Sequence, residues 1–129
     1  MKNGDRYEGI WKDNKREGKI KVYYHNGDRY EGNFKDSKYE GKGIYFWKDG
    51  RRYEGDWKDN KKEGKGIIYY STRDKYDRYE GDWKSDKLEG VGIIYYKNGD
   101  REMGDFLNGG KIGIHVKLNI RGDVTKENY

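Results

Sequence analysis

The chain has 129 residues, enough for one small domain, and 41% of them are charged while 31% are hydrophobic. Leu, Ile, Val and Phe together supply only 20 residues, too few for a thick core. The 29 basic and 24 acidic residues leave a net charge of +5, and there is no cysteine, which excludes disulfides, thiolate catalysis and zinc–thiolate sites.

Two features argue for a thin folded protein rather than a disordered one. Fourteen Tyr and four Trp hold apolar area in amphipathic rings, and most of the charge cancels. No apolar run approaches the ~20 residues of a spanning helix, and no signal-type apolar stretch follows Met1. The expected compartment is therefore the cytoplasm.

Along the chain, Asn3–Arg6 reads as a turn, and the segment YEGIWKDNKREGK begins at Tyr7. Its relatives YEGNFKDSKYEGKG, YEGDWKDNKKEGKG and YEGDWKSDKLEGVG begin at Tyr30, Tyr53 and Tyr79, and a degenerate fifth copy begins at Glu102. The period is about 23 residues, and one interval is stretched by a longer turn, STRDKYDR at 71–78, as repeat proteins tolerate.

Each copy predicts a β-hairpin. The first strand, such as Tyr53–Trp57, places Tyr, Gly and Trp on one face by period-two alternation. A polar tip, KDNKKEG, follows. The second strand then turns Gly64, Gly66, Ile68 and Tyr70 to that same periodicity, with Lys65, Ile67 and Tyr69 opposite. Asn26-Gly27, Asp49-Gly50 and Asn98-Gly99 are turn signals leading into the next hairpin. Recurrent glycine and the absence of a 3.6-residue apolar stripe disfavour helix. The fold expected is all-β: an elongated, single-layer, twisted antiparallel meander with one hairpin per repeat.

Paired strand glycines leave room for rings to lie across the backbone. The candidates for that row are Trp11, Phe34, Trp57, Trp83 and Phe106, with Tyr24, Trp47, Tyr70 and Tyr96. Trp11, Phe34, Trp47, Trp57, Tyr70, Trp83 and Tyr96 are also the candidate binding residues of an aromatic face.

The pattern Y-E-G-x-W, turn, x-x-G-x-G resembles the MORN repeat from Asn3 to about Val124. The resemblance implies a single-layer hairpin sheet. It also implies roles in scaffolding, homotypic dimerisation and attachment of assemblies near membrane or cytoskeleton. The array is expected over 1–124, with repeats starting at 7, 30, 53, 79 and 102. Residues 125–129 are expected to fray. Ile20 stands where later copies have their second glycine, and the fifth copy has Glu102-Met103 and His115 in place of Tyr-Glu and that glycine. The aliphatic run from Ile112 to Ile120 suits a terminal cap.

Candidates for catalysis are few. The two histidines are His25, in a turn, and His115, on a strand, and the three serines fall in tips or turns. Glu8, Glu31, Glu54 and Glu80 occupy one repeat position, so symmetry gives them like environments rather than the unlike pair that acid–base chemistry needs. They are expected to pair with cross-strand cations such as Lys21 or Lys42. No cofactor or metal is called for, and the chain reads as non-enzymatic.

The leading reading is therefore a scaffold that engages protein through the aromatic face or an exposed edge strand, a homodimer through edge strands included. A second reading is a membrane tether in which Lys15, Arg16, Arg51, Arg52, Lys61 and Lys62 contact acidic phospholipid, although acids are interspersed throughout. A third makes the array an accessory to a separate catalytic domain, for which these residues leave no space. Nucleic acid is disfavoured, because the rings fall where the repeat needs them for its own packing.

Overall fold

The computed structural model describes residues 4–129, with the side chains of residues 10–12 and 16 outside the described set. Eleven strands follow one another: β1 (Arg6–Lys12), β2 (Lys15–Tyr23), β3 (Arg29–Lys35), β4 (Lys38–Phe46), β5 (Arg52–Lys58), β6 (Lys61–Tyr69), β7 (Tyr76–Lys84), β8 (Lys87–Tyr96), β9 (Arg101–Leu107), β10 (Gly110–Leu118) and β11 (Val124–Asn128). They form one antiparallel sheet in sequential order, so every strand pairs with its chain neighbours. The expected meander is what the chain adopts.

The hairpin tips are tighter than the polar run suggests. Asp59 and Asn60 both take positive φ, 48° and 69°, so two residues close the turn and β6 begins at Lys61. That geometry matches the twist of the flanking strands. A register shift between Gly55 and Trp57 then takes up an irregularity in the pairing. Gly64, at φ 81°, supplies the left-handed residue on the bulged strand.

Gly66 is present for a different reason. A Cβ there would fall against the ring and hydroxyl of Tyr53. Tyr30, Tyr53 and Tyr79 are fully buried, and each ring covers a glycine pair contributed by facing strands. Their hydroxyls donate to the carbonyls of Asn33, Asp56 and Asp82 at 3.1, 2.9 and 3.4 Å. In the second, third and fourth repeats the opening tyrosine is thus the covering ring, a role that the spacing alone assigns to Trp and Phe.

Trp57 and Trp83 reach back one repeat instead. Their indole nitrogens donate to the carbonyls of Gly43 and Gly66 at 3.1 and 3.2 Å. Edge-to-face contacts couple the repeats: Tyr30 with Trp57 at 5.6 Å, Tyr53 with Trp83 at 5.3 Å and Tyr79 with Phe106 at 5.2 Å. Contacts of this kind contribute about 0.5–1.5 kcal/mol each beyond area burial.

The tips are coupled too. Glu17, Glu40, Glu63 and Glu89 accept the backbone N–H of Asp36, Asp59, Ser85 and Asn108, each in the next tip along.

The fifth repeat exchanges the source of its ring. His115 is buried over Gly104, and its Nε2 lies 2.9 Å from the Asp105 carbonyl, the position that the Tyr79 hydroxyl meets in the repeat before. Glu102 takes the tyrosine's place and is buried beside it.

Residues 125–129 do not fray. Val124–Asn128 pairs with β10, whose edge would otherwise leave its N–H and C=O groups open, and the Tyr129 ring packs 5.0 Å from His115. The aliphatic run expected to act as a cap is instead outward-facing, with Ile114 63% and Ile120 75% exposed.

Candidate interaction surface

The sheet has two unlike faces. On the aromatic face the inner rings fill the glycine row, and a second set of rings remains half-exposed beside the inter-repeat turns. Trp47, Tyr70, Tyr76 and Tyr96 belong to this outer set. Tyr24, Tyr45 and Trp47 form one run, at 6.0 and 4.8 Å, and Tyr70, Tyr76 and Tyr96 another, at 5.5 and 5.2 Å.

Of the candidate binding residues, Phe34, Trp57 and Trp83 are buried and serve the core. Trp47, Tyr70 and Tyr96 are half-exposed on the same face. Trp11 sits at a paired position of β1, opposite Arg16, and its side chain lies outside the described residues.

Tyr76 is not legible from the repeat, because it falls in the stretched segment 71–78, although in the structure it opens β7. The turn before it is held by Lys97, whose ammonium donates to the carbonyls of Ser71, Asp74 and Tyr76 at 2.7, 2.7 and 2.5 Å. The turn thereby inserts the Tyr76 ring between Tyr70 and Tyr96.

Cations approach these outer rings. The Arg51 guanidinium lies 4.9 Å from the Trp47 ring centre, and the Lys62 ammonium 5.2 Å from it. Lys62 also lies 5.6 Å from Tyr53 and 5.4 Å from Trp83. Burial among these rings pushes its pKa down, Asp86 opposes that shift, and the nearby charge of Arg51 adds to it. Lys75 and Lys117 lie over Tyr76 and Tyr96 at 5.1 and 4.6 Å.

The opposite face alternates charge along and across strands. Arg29, Arg52 and Arg78 stack on Phe46, Tyr69 and Tyr95 at 4.1, 4.2 and 3.7 Å. Each also meets the glutamate two residues on: Glu31 at 3.8 Å, Glu54 at 3.3 Å and Glu80 at 3.8 Å. The recurrent glutamates therefore pair chiefly along their own strand. Lys21 does reach Glu31 at 3.9 Å, but Lys42 meets Asp56 instead.

The cations considered for lipid contact do not share one surface. Lys62 is folded onto the aromatic face, and Arg52 lies on the other, held by Tyr69 and Glu54. Lys15 and Lys61 flank tips, Arg51 packs on Trp47, and the side chain of Arg16 is outside the described residues.

At the array's last repeat, Glu102 gathers a polar cluster. It accepts from the Tyr96 hydroxyl at 2.7 Å, and it meets Lys111 at 3.1 Å and His115 Nδ1 at 2.8 Å. Burial alone would raise the pKa of Glu102, but the hydrogen bonds from Tyr96 and Lys111 outweigh it and hold the carboxyl below its ordinary range. Among the described residues, no group of three His, Asp or Glu side chains is placed to hold a metal ion.

A family model described as MORN repeat matches residues 7–29, 30–51, 53–75 and 79–101. The copy that starts at Glu102 lies beyond these matches. Among curated proteins none matches the chain.

Proposed function

The chain belongs to the MORN-repeat family, and from that premise we propose that it is a non-enzymatic scaffold that engages other proteins through its aromatic face. One observation carries the reading. The inner rings fill the glycine row, and the outer rings Trp47, Tyr70, Tyr76 and Tyr96 pack against that core while keeping part of each ring open to solvent. Half-exposed rings of this kind present large, rigid contact area at low entropic cost. The scattering of the candidate lipid-contact cations over two faces and the tips favours protein over membrane.

The test places a photo-crosslinking residue at Tyr70, or at Lys65 on the opposite face, in the cell. Discrete protein adducts from position 70 and not from position 65 are expected. Adducts to lipid alone would overturn the reading in favour of the tether, as would headgroup-dependent vesicle binding that survives near-physiological salt.

A further inference from the structure

We propose that the face of the last repeat opposite the aromatic rings is a self-complementary surface, on which a second copy of this chain packs about a two-fold axis. This face is separate from the one that carries the half-exposed rings, so it stands whether or not those rings engage a partner.

The earlier repeats show what the face ordinarily holds. Arg52 and Arg78 each meet the glutamate two residues on, Glu54 and Glu80. Asp56 and Asp82 each meet a lysine of the preceding strand, Lys42 and Lys65. In β9 the same positions are Arg101, Met103 and Asp105. The register sets Val91 opposite Asp105, as it sets Lys42 opposite Asp56 and Lys65 opposite Asp82. Met103 thus takes away the glutamate and Val91 takes away the lysine. Among the described residues, the Arg101 guanidinium and the Asp105 carboxylate have no ion-pair or hydrogen-bond partner.

Between these two charges the face is apolar. Among the described residues, the exposed large hydrophobic side chains all fall from Val91 onward. Met103, 50% exposed, is paired with Ile93 on one side and Val116 on the other. A hollow of about 300 Å³ opens between Tyr95, Arg101, Met103, Val116 and Leu118, and no acid lines it. A contiguous exposed apolar patch rimmed by charge marks an interaction surface.

The arrangement of the two charges selects the partner. Arg101 and Asp105 lie on one strand, two residues to either side of Met103, and period-two alternation turns all three to one face. A two-fold axis running across the strands at the level of Met103 lays β9 antiparallel on the same strand of the partner. Arg101 then meets the partner's Asp105, and Asp105 meets the partner's Arg101. On β10 the same axis passes Val116 and sets Ile114 against the partner's Leu118, so aliphatic meets aliphatic. An unrelated protein would have to reproduce this order of cation, aliphatic and anion, whereas a second copy supplies it by symmetry. Twisted sheets packed face to face diverge by about 30°, which confines contact to strands near the axis. The apolar patch is likewise confined to β8–β11. Lys126, at the sheet's edge in the row of Met103 and Val116, is exposed and keeps its ammonium in water.

The test measures the mass of the full chain by sedimentation equilibrium over a range of concentrations, with circular dichroism as the check on folding. Mass should rise from one chain to two and stop there, as a closed contact requires. Met103→Glu gives Arg101 the glutamate that Glu80 gives Arg78, and it should leave a folded monomer. Arg101→Asp and Asp105→Arg should each weaken the dimer by roughly tenfold or more. The two combined in one chain should restore it. Four results would overturn the proposal: one chain at every concentration, a dimer that survives Met103→Glu, a charge exchange that restores nothing, or a mass that climbs past two chains. The last would assign association to the open edges of the sheet instead.

Discussion

His115 occupies the space over Gly104 that a tyrosine ring occupies over the glycines of the second to fourth repeats, and it reaches the equivalent carbonyl, that of Asp105, at 2.9 Å. The ring has moved from the first strand of the hairpin to the second, and Glu102 fills the vacated position. Tyr96, Lys111 and His115 surround that carboxylate.

Glu102→Gln should destabilise the protein by about 1–3 kcal/mol at neutral pH, the scale for disrupting a buried charge-assisted hydrogen bond. The folded pKa of Glu102 lies below its ordinary 4.5. Its contribution is therefore present above pH 4.5 and lost as pH falls through the lower folded value. Urea midpoints measured from pH 7 down to pH 3 should fall less steeply in the variant than in the parent.

At the alkaline end the tyrosines dominate. Burial raises Tyr30, Tyr53 and Tyr79 well above the ordinary 10.0. Burial likewise pushes Tyr70 and Tyr96 up to about 12, and in Tyr96 the hydrogen bond to Glu102 adds to it. Because the folded values are raised, this stability is fully present below pH 10 and is lost as pH rises through them. Phenolate absorbance followed against pH should show the buried set ionising only as the sheet unfolds.

Gly66→Ala should cost about 1–3 kcal/mol, as overpacking does, because its Cβ would meet the Tyr53 ring. Gly50→Ala, in an open turn with no neighbouring atom in reach, carries only the strain of its φ of 100°. Denaturant unfolding of the two variants separates steric from backbone causes. The companion variant Tyr53→Phe should lose about 0.5–1.5 kcal/mol with the bond to the Asp56 carbonyl.

Lys97→Met removes the ammonium that three carbonyls share. The expected result is faster tryptic cleavage at the exposed Arg73 and Lys75, with far-ultraviolet dichroism unchanged. A cleavage rate equal to that of the parent would show that the stretched turn holds without Lys97.

Much of this fold was legible because the repeat imposes its period on every strand. The faces of Tyr53, Trp57, Gly66 and Ile68 follow from alternation alone. Other features were hidden for identifiable reasons. Spacing shows that a ring must cover Gly66, but not whether Tyr53 or Trp57 supplies it, since both lie on the same face two positions from Gly55. The run KDNKKEG is uniformly polar, which conceals a two-residue turn and a bulged strand that already pairs from Lys61. Residues 125–129 have no repeat partner to read them by, so their pairing with β10 left no mark in the pattern. The exchange in the last repeat did leave one: Tyr to Glu and Gly to His fall in the same copy, and a compensating pair is the simplest account of both. Tyr76, the ring that completes the outer row, opens β7 directly after the one turn that breaks the period.

The bonds from Glu17, Glu40, Glu63 and Glu89 to the following tip each span 19 or 22 residues. That separation is set by the repeat and would not grow if more repeats were added. The entropy of closing each loop is therefore nearly constant along the chain. Although every strand pairing here is antiparallel β, the protein has the folding arithmetic of a local topology, in which one hairpin templates the next and the search does not lengthen with the array.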